Sequence, residues 1–358
     1  MIYIHVPFCK SFCIYCDFYS EIAEEGMAEA YTREICAEIK RRAKEMDDSL
    51  KTLYFGGGTP SVLPLGCLTR ILLALEEAGH GGPYQEFTLE VNPEDIVEKG
   101  LSYVESLKML GVNRISIGIQ SLDDDLLQWM NRRHNAERAK EAFRIVRKAG
   151  IDNISVDLIF GLSNLSDEVW SQTIDQVLEL GPEHVSCYQL TIEGDNVLAH
   201  RLENGEYEEA PEELCRGQYD ILCAKLGAAG YRHYEISNFA KPGYEAVHNG
   251  GYWSRRPYVG LGPSAHSFSG RGRSWNSAEL TGYTHSQESL SVEDEKVETL
   301  MLALRTSHGI DAEFLEANCL KADIERLCAE GALAREGSRY HIPEDHFFVS
   351  DEIIRELI

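Results

Sequence analysis

The stretch Ile2–Cys16, IYIHVPFCKSFCIYC, decides the fold and the site together. Ile2, Tyr3, Ile4, His5 and Val6 make a short apolar-rich run suited to a strand. Three thiols follow at spacing C-x3-C-x2-C: Cys9, Cys13 and Cys16. A strand that ends in a loop with three converging thiolates is suited to hold a soft, multinuclear group. Structural zinc sites usually take four protein ligands, and no fourth Cys or His stands at knuckle spacing here. Iron–sulfur clusters are held by thiolates, and three of them leave one iron open to a substrate or cofactor. The neighbouring Phe8, Phe12, Tyr15, Phe18 and Tyr19 would shield such a group from water, although core aromatics would look the same.

Outward from this loop, strand-like runs recur at 51–55, 86–91, 114–119, 153–160 and 184–190, each followed by a helical pattern. Met27, Tyr31, Ile35 and Ile39 recur every four residues with charges between them, an amphipathic helix within 21–45. Further helices are predicted over 62–79, 96–110, 123–131, 135–149, 166–179 and 211–228, with a short strand near 231–235. Successive βα units imply a parallel sheet curled toward a barrel, whose chemistry sits just past the strand C-termini. The expected class is α/β, a partial (β/α)6 TIM-like barrel over 1–235 with a loop-rich extension over 236–290. A small α+β domain of winged-helix-like character is expected over 291–358. A doubly wound sheet is the competing architecture, weakened by the want of a dinucleotide fingerprint.

The chain has 358 residues, so one large domain plus a smaller one is expected. Its net charge of −25 argues against nucleic acid or an anionic membrane as principal partner. Residues 291–358 carry 7 Lys and Arg against 16 Asp and Glu, which argues against DNA binding by that domain in particular. No apolar run approaches a membrane span. Of ten cysteines, seven (Cys36, Cys67, Cys187, Cys215, Cys223, Cys319 and Cys328) are scattered in apolar or helical patterns, as small core residues would be. This is the cysteine usage of a reduced, cytoplasmic protein rather than a secreted disulfide scaffold.

Polar residues cluster where the strands are expected to end. Gly56-Gly57-Gly58-Thr59-Pro60 follows the second strand, where glycines let a bound group approach the backbone. Glu90 ends the third strand, Gln120 the fourth and Asp157 the fifth, and Arg132 stands in the helix-breaking MNRRH. Together they offer acceptors for ribose hydroxyls and a cation for a carboxylate. That the cysteine loop, the glycines and these side chains share one sheet edge points to a single site.

C-x3-C-x2-C after a first barrel strand resembles the signature of the radical S-adenosyl-L-methionine (SAM) superfamily. The resemblance implies a 4Fe-4S cluster on Cys9, Cys13 and Cys16, with SAM chelating the open iron and, on reduction, yielding a 5′-deoxyadenosyl radical. YIHVPFC, FGGGTPS, LEVNPE, SIGIQS, NRRH and VDLIFGL are similar, in order, to one branch. That branch is the oxygen-independent coproporphyrinogen III oxidase and HemW heme-chaperone group, and the likeness runs over essentially the whole chain. It implies SAM contacts from Tyr3, Tyr15, Gly57, Gly58, Thr59, Glu90, Gln120, Arg132 and Asp157.

Three features divide the two members of that group. The oxidase has a fourth Cys two residues after the third, where this chain has Phe18. The oxidase carries a long arm before strand one, where this chain begins on the strand. Residues 248–253, HNGGYW, resemble the HNxxYW element of the chaperones, with two glycines in its variable positions. The expectation is therefore a heme chaperone that binds a 4Fe-4S cluster, SAM and heme, and passes heme to a recipient hemoprotein. The alternative is oxidative decarboxylation of coproporphyrinogen III. An electron donor where SAM is cleaved, and peripheral contact with membrane proteins, complete the expected partners. His248 is the expected heme ligand, since imidazole is a common axial ligand and Tyr and Trp faces pack on a macrocycle. Residues 232–273 hold Arg232, Lys241, Arg255, Arg256, Arg271 and Arg273 against Glu235 and Glu245. This basic island could hold tetrapyrrole propionates or dock the acidic C-terminal domain.

Overall fold

Each expected barrel strand alternates apolar with polar or small residues, and that period of two sorts its side chains onto opposite faces. The computed structural model describes residues 1–47 and 49–358. Its central sheet contains β1 (Ile2–Val6), β2 (Thr52–Gly57), β3 (Glu86–Val91), β4 (Arg114–Gln120), β5 (Ile154–Phe160) and β6 (His184–Gln189). The six lie side by side in chain order, all parallel. The convex set includes Ile4, Phe55, Phe87, Ile115, Ile117, Val156, Leu158 and Val185, all buried. Burying each such side chain contributes about 1.5–3 kcal/mol, which fixes strand register against the helices.

Those helices are α1 (Met27–Arg42), α2 (Leu65–Glu77), α3 (Pro93–Met109), α4 (Asp124–Trp129), α5 (Ala136–Lys148), α6 (Asp167–Leu180), α7 (Val197–Glu203) and α8 (Glu212–Ala228). Side chains of Asp123, Asn135 and Ser166 accept a backbone N–H at the starts of α4, α5 and α6. Caps of this kind contribute about 1 kcal/mol each. Apart from α7, which falls in a stretch that reads as a loop from sequence, the helices begin and end within six residues of the stretches that predict them.

The sheet is wider than the six expected strands. Strands Arg232–Glu235 and Asn238–Ala240 form an antiparallel hairpin beside β6, and Val259–Leu261 pairs parallel with β1 at the opposite edge. The outermost strands do not pair with each other, so the barrel stays open. The boundary expected at 235 falls in the turn of that hairpin. Residues 236–290, expected as loop-rich, also contain α9 (Val247–Trp253) and a three-stranded antiparallel sheet, His266–Phe268, Gly272–Asn276 and His285–Ser289. A seven-residue helix covers barely two turns and a three-residue strand one alternation. The two five-residue strands here, GRSWN and HSQES, carry no apolar alternation to read. These elements are held by polar anchors instead. Buried Glu38 of α1 accepts from Arg42 at 3.3 Å, Gly262 N at 2.8 Å and Asn276 Nδ2 at 2.8 Å.

The C-terminal domain begins with α10 (Val292–Leu304), whose start is closed by a reciprocal Ser291–Asp294 capping box. Strand Ile310–Asp311, α11 (Ala312–Asn318), α12 (Lys321–Glu330) and the hairpin Ala334–Glu336/Arg339–His341 follow. The three strands form one antiparallel sheet with Arg339–His341 in the middle. Helix, strand, two helices and a β-wing is the order expected of a winged-helix-like unit.

Candidate functional site

Polarity on the concave face of the sheet follows from the same alternation. Thr52, Tyr54 and Gly56 of β2, Glu86, Thr88 and Glu90 of β3, Arg114, Ser116, Gly118 and Gln120 of β4, Ser155 and Asp157 of β5, and His184, Ser186 and Tyr188 of β6 occupy alternate positions. Buried polar groups are costly unless paired, so such a face either closes into networks or lines a cavity. Here it does both, in two layers.

The lower layer is closed. Glu86 accepts the backbone N–H of Val247 at 2.8 Å and of His248 at 2.9 Å, which seats the start of α9 under the barrel. His248 Nδ1 lies 2.8 Å from Thr52 Oγ1, and its Nε2 lies 2.8 Å from the Tyr252 hydroxyl. The residue is fully buried, and burial pushes its imidazole down to about 3, so the ring is neutral. His184 Nε2 meets the Tyr234 hydroxyl at 2.7 Å in the same layer. His248 therefore does not present an axial ligand in this geometry. Both ring nitrogens are committed to the floor, because the element that resembles HNxxYW folds inward as a short helix. Its neighbour Asn249 is what reaches the cavity.

The upper layer is a cavity of about 720 Å³. Cys9, Cys13, Tyr15 and Cys16 border it with Gly57, Gly58, Thr59, Glu90, Gln120, Arg132 and Asp157. All the expected cluster and SAM residues except Tyr3 thus meet at one mouth. Tyr3 lies off the cavity, its hydroxyl donating to His5 Nδ1 at 3.1 Å and its ring 6.0 Å from that of Tyr54.

The cysteine loop is fixed by its backbone rather than by its thiols. Ile14 N donates to Met130 O at 3.3 Å, and Asn131 Nδ2 donates to Phe12 O at 2.7 Å. Leu198 N donates to Ile14 O at 2.8 Å, and Ile14 packs with Leu198 and Tyr207 in a small separate cluster. Cys9, Cys13 and Cys16 are free thiols. Burial pushes Cys9 up, and Cys16 up to about 11. The Cys9 sulfur lies 3.5 Å from Thr59 Oγ1, and Arg132 donates to the Cys13 sulfur at 3.2 Å. Of the expected shielding aromatics, Phe8 is buried against Tyr31, while Phe12 and Phe18 stand exposed at the mouth.

Glycine is required where the second strand meets this loop. Gly57 has φ 107°, and a Cβ there would sit 2.4 Å from His5 Cε1. A Cβ on Gly58 would meet the backbone of Val6, Pro7 and Phe8 at 2.9 Å. Glu90 accepts from the Tyr54 hydroxyl at 2.7 Å and from Gly57 N at 3.1 Å. Burial pushes its carboxyl up to about 7, with Asp157 adding to the shift and those two donors opposing it. Asp157 accepts from Ser116 at 2.9 and 3.1 Å and is likewise raised, chiefly by burial. Gln120 is in the left-handed region at φ 68°, where the β4–β5 register shifts. Such an irregularity re-aims a side chain at a strand end.

Sequence reasoning missed Asn92, Arg114, Ser116, Ser186 and Tyr188, which also line the cavity. Arg114 is 2% exposed with an unpaired Nε. The signal was present for Arg114 and Ser116, which share a strand face with Gln120. Ser186 and Tyr188, by contrast, lie on β6, from which no residue was chosen, and Asn92 follows β3.

The family model described as the radical SAM superfamily matches residues 3–177. A heme chaperone HemW from Synechocystis sp. is 34% identical over 326 residues, covering 86% of this chain and 78% of that protein. Another from Lactococcus lactis is 31% identical, covering 99% and 96%. The chain belongs to the HemW family of radical SAM proteins. A solved structure of coproporphyrinogen III oxidase (HemN) from Escherichia coli, a radical SAM enzyme, superposes with TM-score 0.83 at 21% identity. It covers 99% of this chain and 89% of that one, and shows the shared fold.

Membership in the radical SAM superfamily implies a 4Fe-4S cluster and SAM. The donor set at the barrel mouth fits both groups. Three free thiols border one cavity with Gly57, Gly58 and the strand-end polar side chains, and Arg132 Nε is buried beside them without a partner. Among the described residues no helix is long and apolar enough to cross a membrane.

Proposed function

We propose that the chain is a heme chaperone in which Cys9, Cys13 and Cys16 hold a 4Fe-4S cluster. Gly57, Gly58, Thr59, Glu90, Gln120, Arg132, Asp157 and Tyr15 hold SAM. The observation that carries this reading is the convergence of three free thiols and a polar strand-end set on one cavity. The bound groups would supply one-electron chemistry at the barrel mouth. The protein's own contribution there is positional. Gly57 and Gly58 admit a ligand against the backbone, Glu90 offers a carboxylate to an ammonium, and Arg132 offers a guanidinium to a carboxylate.

Heme is the cargo, and we assign it to the outer side of α9 rather than to His248. A second cavity of about 310 Å³ lies there, lined by Tyr252, Arg256, Tyr258, Phe268 and Met301. Aromatic faces suit a macrocycle, and exposed Arg256 has no ion pair among the described residues, so it can meet a propionate. A heme-loaded chain mixed anaerobically with a heme-free acceptor should transfer heme, seen as loss of its own Soret band and gain of the acceptor's. Turnover of coproporphyrinogen III by the reconstituted protein, with heme retained, would replace the chaperone by an oxidase.

A further inference from the structure

Cys223, expected only to fill core space, stands beside His233 and Glu344 on the far edge of the sheet. Its sulfur lies 3.9 Å from His233 Nδ1, and the same nitrogen lies 3.3 Å from Glu344 Oε1. All three donor atoms fall within 4.8 Å of one another. The residues come from three elements: α8, the strand Arg232–Glu235, and the 3-10 turn Glu344–Val349 of the C-terminal domain.

The opposite side of the ring defines what Nδ1 can do. His233 Nε2 faces the Ile236 carbonyl at 3.4 Å and the Tyr219 hydroxyl at 3.3 Å, and that hydroxyl itself donates to Ile236 O at 3.2 Å. A carbonyl only accepts, so Nε2 carries the proton and donates. The ring cannot swing away, being stacked on Phe239 at 4.1 Å and edge-on to Phe347 at 4.9 Å. In the neutral ring the Nδ1 lone pair then faces a carboxylate, which only accepts, and a thiol whose S–H can reach it only weakly at 3.9 Å. A cation in place of the thiol proton would engage all three donor atoms at once.

We propose that Cys223, His233 and Glu344 form a metal site, separate from the cysteine loop, that takes one zinc-like divalent cation and fastens the C-terminal domain to the barrel edge. Thiolate, imidazole and carboxylate is a donor set suited to zinc. Zinc bonds of about 2.0–2.3 Å place ligand atoms roughly 3.3–3.7 Å apart, and the two spacings to His233 Nδ1, 3.3 and 3.9 Å, lie near that range with the third within 4.8 Å. The Nε2 hydrogen bonds supply the orientation that ligating histidines ordinarily have. A simple imidazolium–carboxylate pair would explain His233 and Glu344 but leaves Cys223 without a role. Burial, with Glu344 nearby, pushes the Cys223 thiol up to about 12, so metal binding displaces its proton to solvent. Three protein ligands and an exposed Glu344 leave the fourth position to water.

The test uses the full chain with its cysteine loop already occupied by reconstituted iron and sulfide. Adding cobalt(II) should give one equivalent of a near-ultraviolet thiolate-to-cobalt band, displaced by one equivalent of zinc(II). Cys223→Ser should abolish the band, Glu344→Gln should weaken cobalt binding at least tenfold, and Cys215→Ser should change neither. Because overlapping cluster absorption could hide the band, the zinc-dependent rise in thermal midpoint is read in parallel. It should be present in the native chain and in Cys215→Ser, and lost in Cys223→Ser. A band or a stabilisation that survives Cys223→Ser, or saturation only at millimolar metal, overturns the site and leaves a protonated His233 paired with Glu344.

Discussion

The Arg132 guanidinium donates to the Cys13 sulfur at 3.2 Å and to the Gly118 carbonyl at 2.6 Å, joining the cysteine loop to the fourth barrel strand. One side chain thus touches a proposed cluster ligand and the wall of the SAM cavity. It reaches both because the loop after α4 turns sharply at Asn131, a non-glycine residue with φ 60°. If its role is to meet a ligand carboxylate, Arg132→Gln should leave the iron content of the reconstituted protein near that of the native chain. SAM affinity should fall by one to two decades, since losing a charged hydrogen-bond partner costs about 1.5–3 kcal/mol. Iron analysis and equilibrium SAM titration on the same sample separate the two effects. Parallel loss of iron would make Arg132 a structural prop of the loop instead.

The three loop thiols should act as a set. Replacing Cys9, Cys13 or Cys16 singly by Ala should remove the visible charge-transfer absorption of anaerobically reconstituted protein, because none of the scattered cysteines shares their loop. Cys187 is buried at 1% exposure in β6, and Cys187→Ala should keep that absorption. Single loop variants that retain four irons per chain would show that the ligands lie elsewhere.

Much of this was legible in the sequence, for reasons that differ by residue. The six barrel strands show because each carries enough residues to display the period of two. Glu90, Gln120 and Asp157 stand out because a lone polar residue at a strand end is conspicuous. Arg114 and Ser116 lie on the same strand face as Gln120, yet they were passed over because each was read alone rather than with its alternating partners. The strand Val259–Leu261 offers three residues, too few for any period, and only its pairing with β1 defines it. His248 is a different case. A sequence motif names residue types without saying which way a helix turns them, and Glu86, far away in sequence, turns this one inward.

Two of the six cations of the basic island dock the C-terminal helix α10. Arg255 and Arg273 both pair with Glu298 of α10, while Arg232 pairs with Glu245 and Lys241 with Glu183. Glu298 is largely buried, its side chain 15% exposed, so its removal leaves two guanidinium groups facing each other. Glu298→Ala should lower stability by about 2–4 kcal/mol and open α10 to limited proteolysis. Arg256→Ala touches no such pair and should leave the digestion pattern unchanged while weakening heme binding, most visibly at low salt.

Glu90 gives the protein a pH signature. Its folded-state value of about 7 lies above the ordinary carboxylate value of about 4.3. The fold therefore favours the protonated form. The resulting stabilisation is fully present below about pH 4 and is lost as pH rises through 7. Native protein without SAM should lose about 1–3 kcal/mol relative to Glu90→Gln between those limits, with a constant difference above pH 8. Thermal midpoints across pH 4–9 for both proteins check this. Parallel curves would mean that Glu90 titrates in the fold as it does in the unfolded chain.

His248 is the residue on which motif and geometry part most sharply. Two hydrogen bonds, to Thr52 and Tyr252, hold its ring in the barrel floor. Truncation to Ala would strand both hydroxyls and open a void between Tyr54 and Tyr252, whose rings lie 5.1 and 5.0 Å from the imidazole. A loss of about 2–4 kcal/mol in unfolding free energy is expected, from unpaired buried groups together with the cavity. Because the iron ligand is not expected to be this imidazole, the Soret maximum of heme-loaded His248→Ala should match that of the native chain. His248→Gln can restore one hydrogen bond, so it should recover part of the stability, again with an unmoved Soret band, and it serves if the Ala variant does not fold. Near-native stability combined with a shifted or absent Soret band would require the opposite picture. In that picture heme pulls α9 out of the floor, and the His248 ring exchanges Thr52 and Tyr252 for iron.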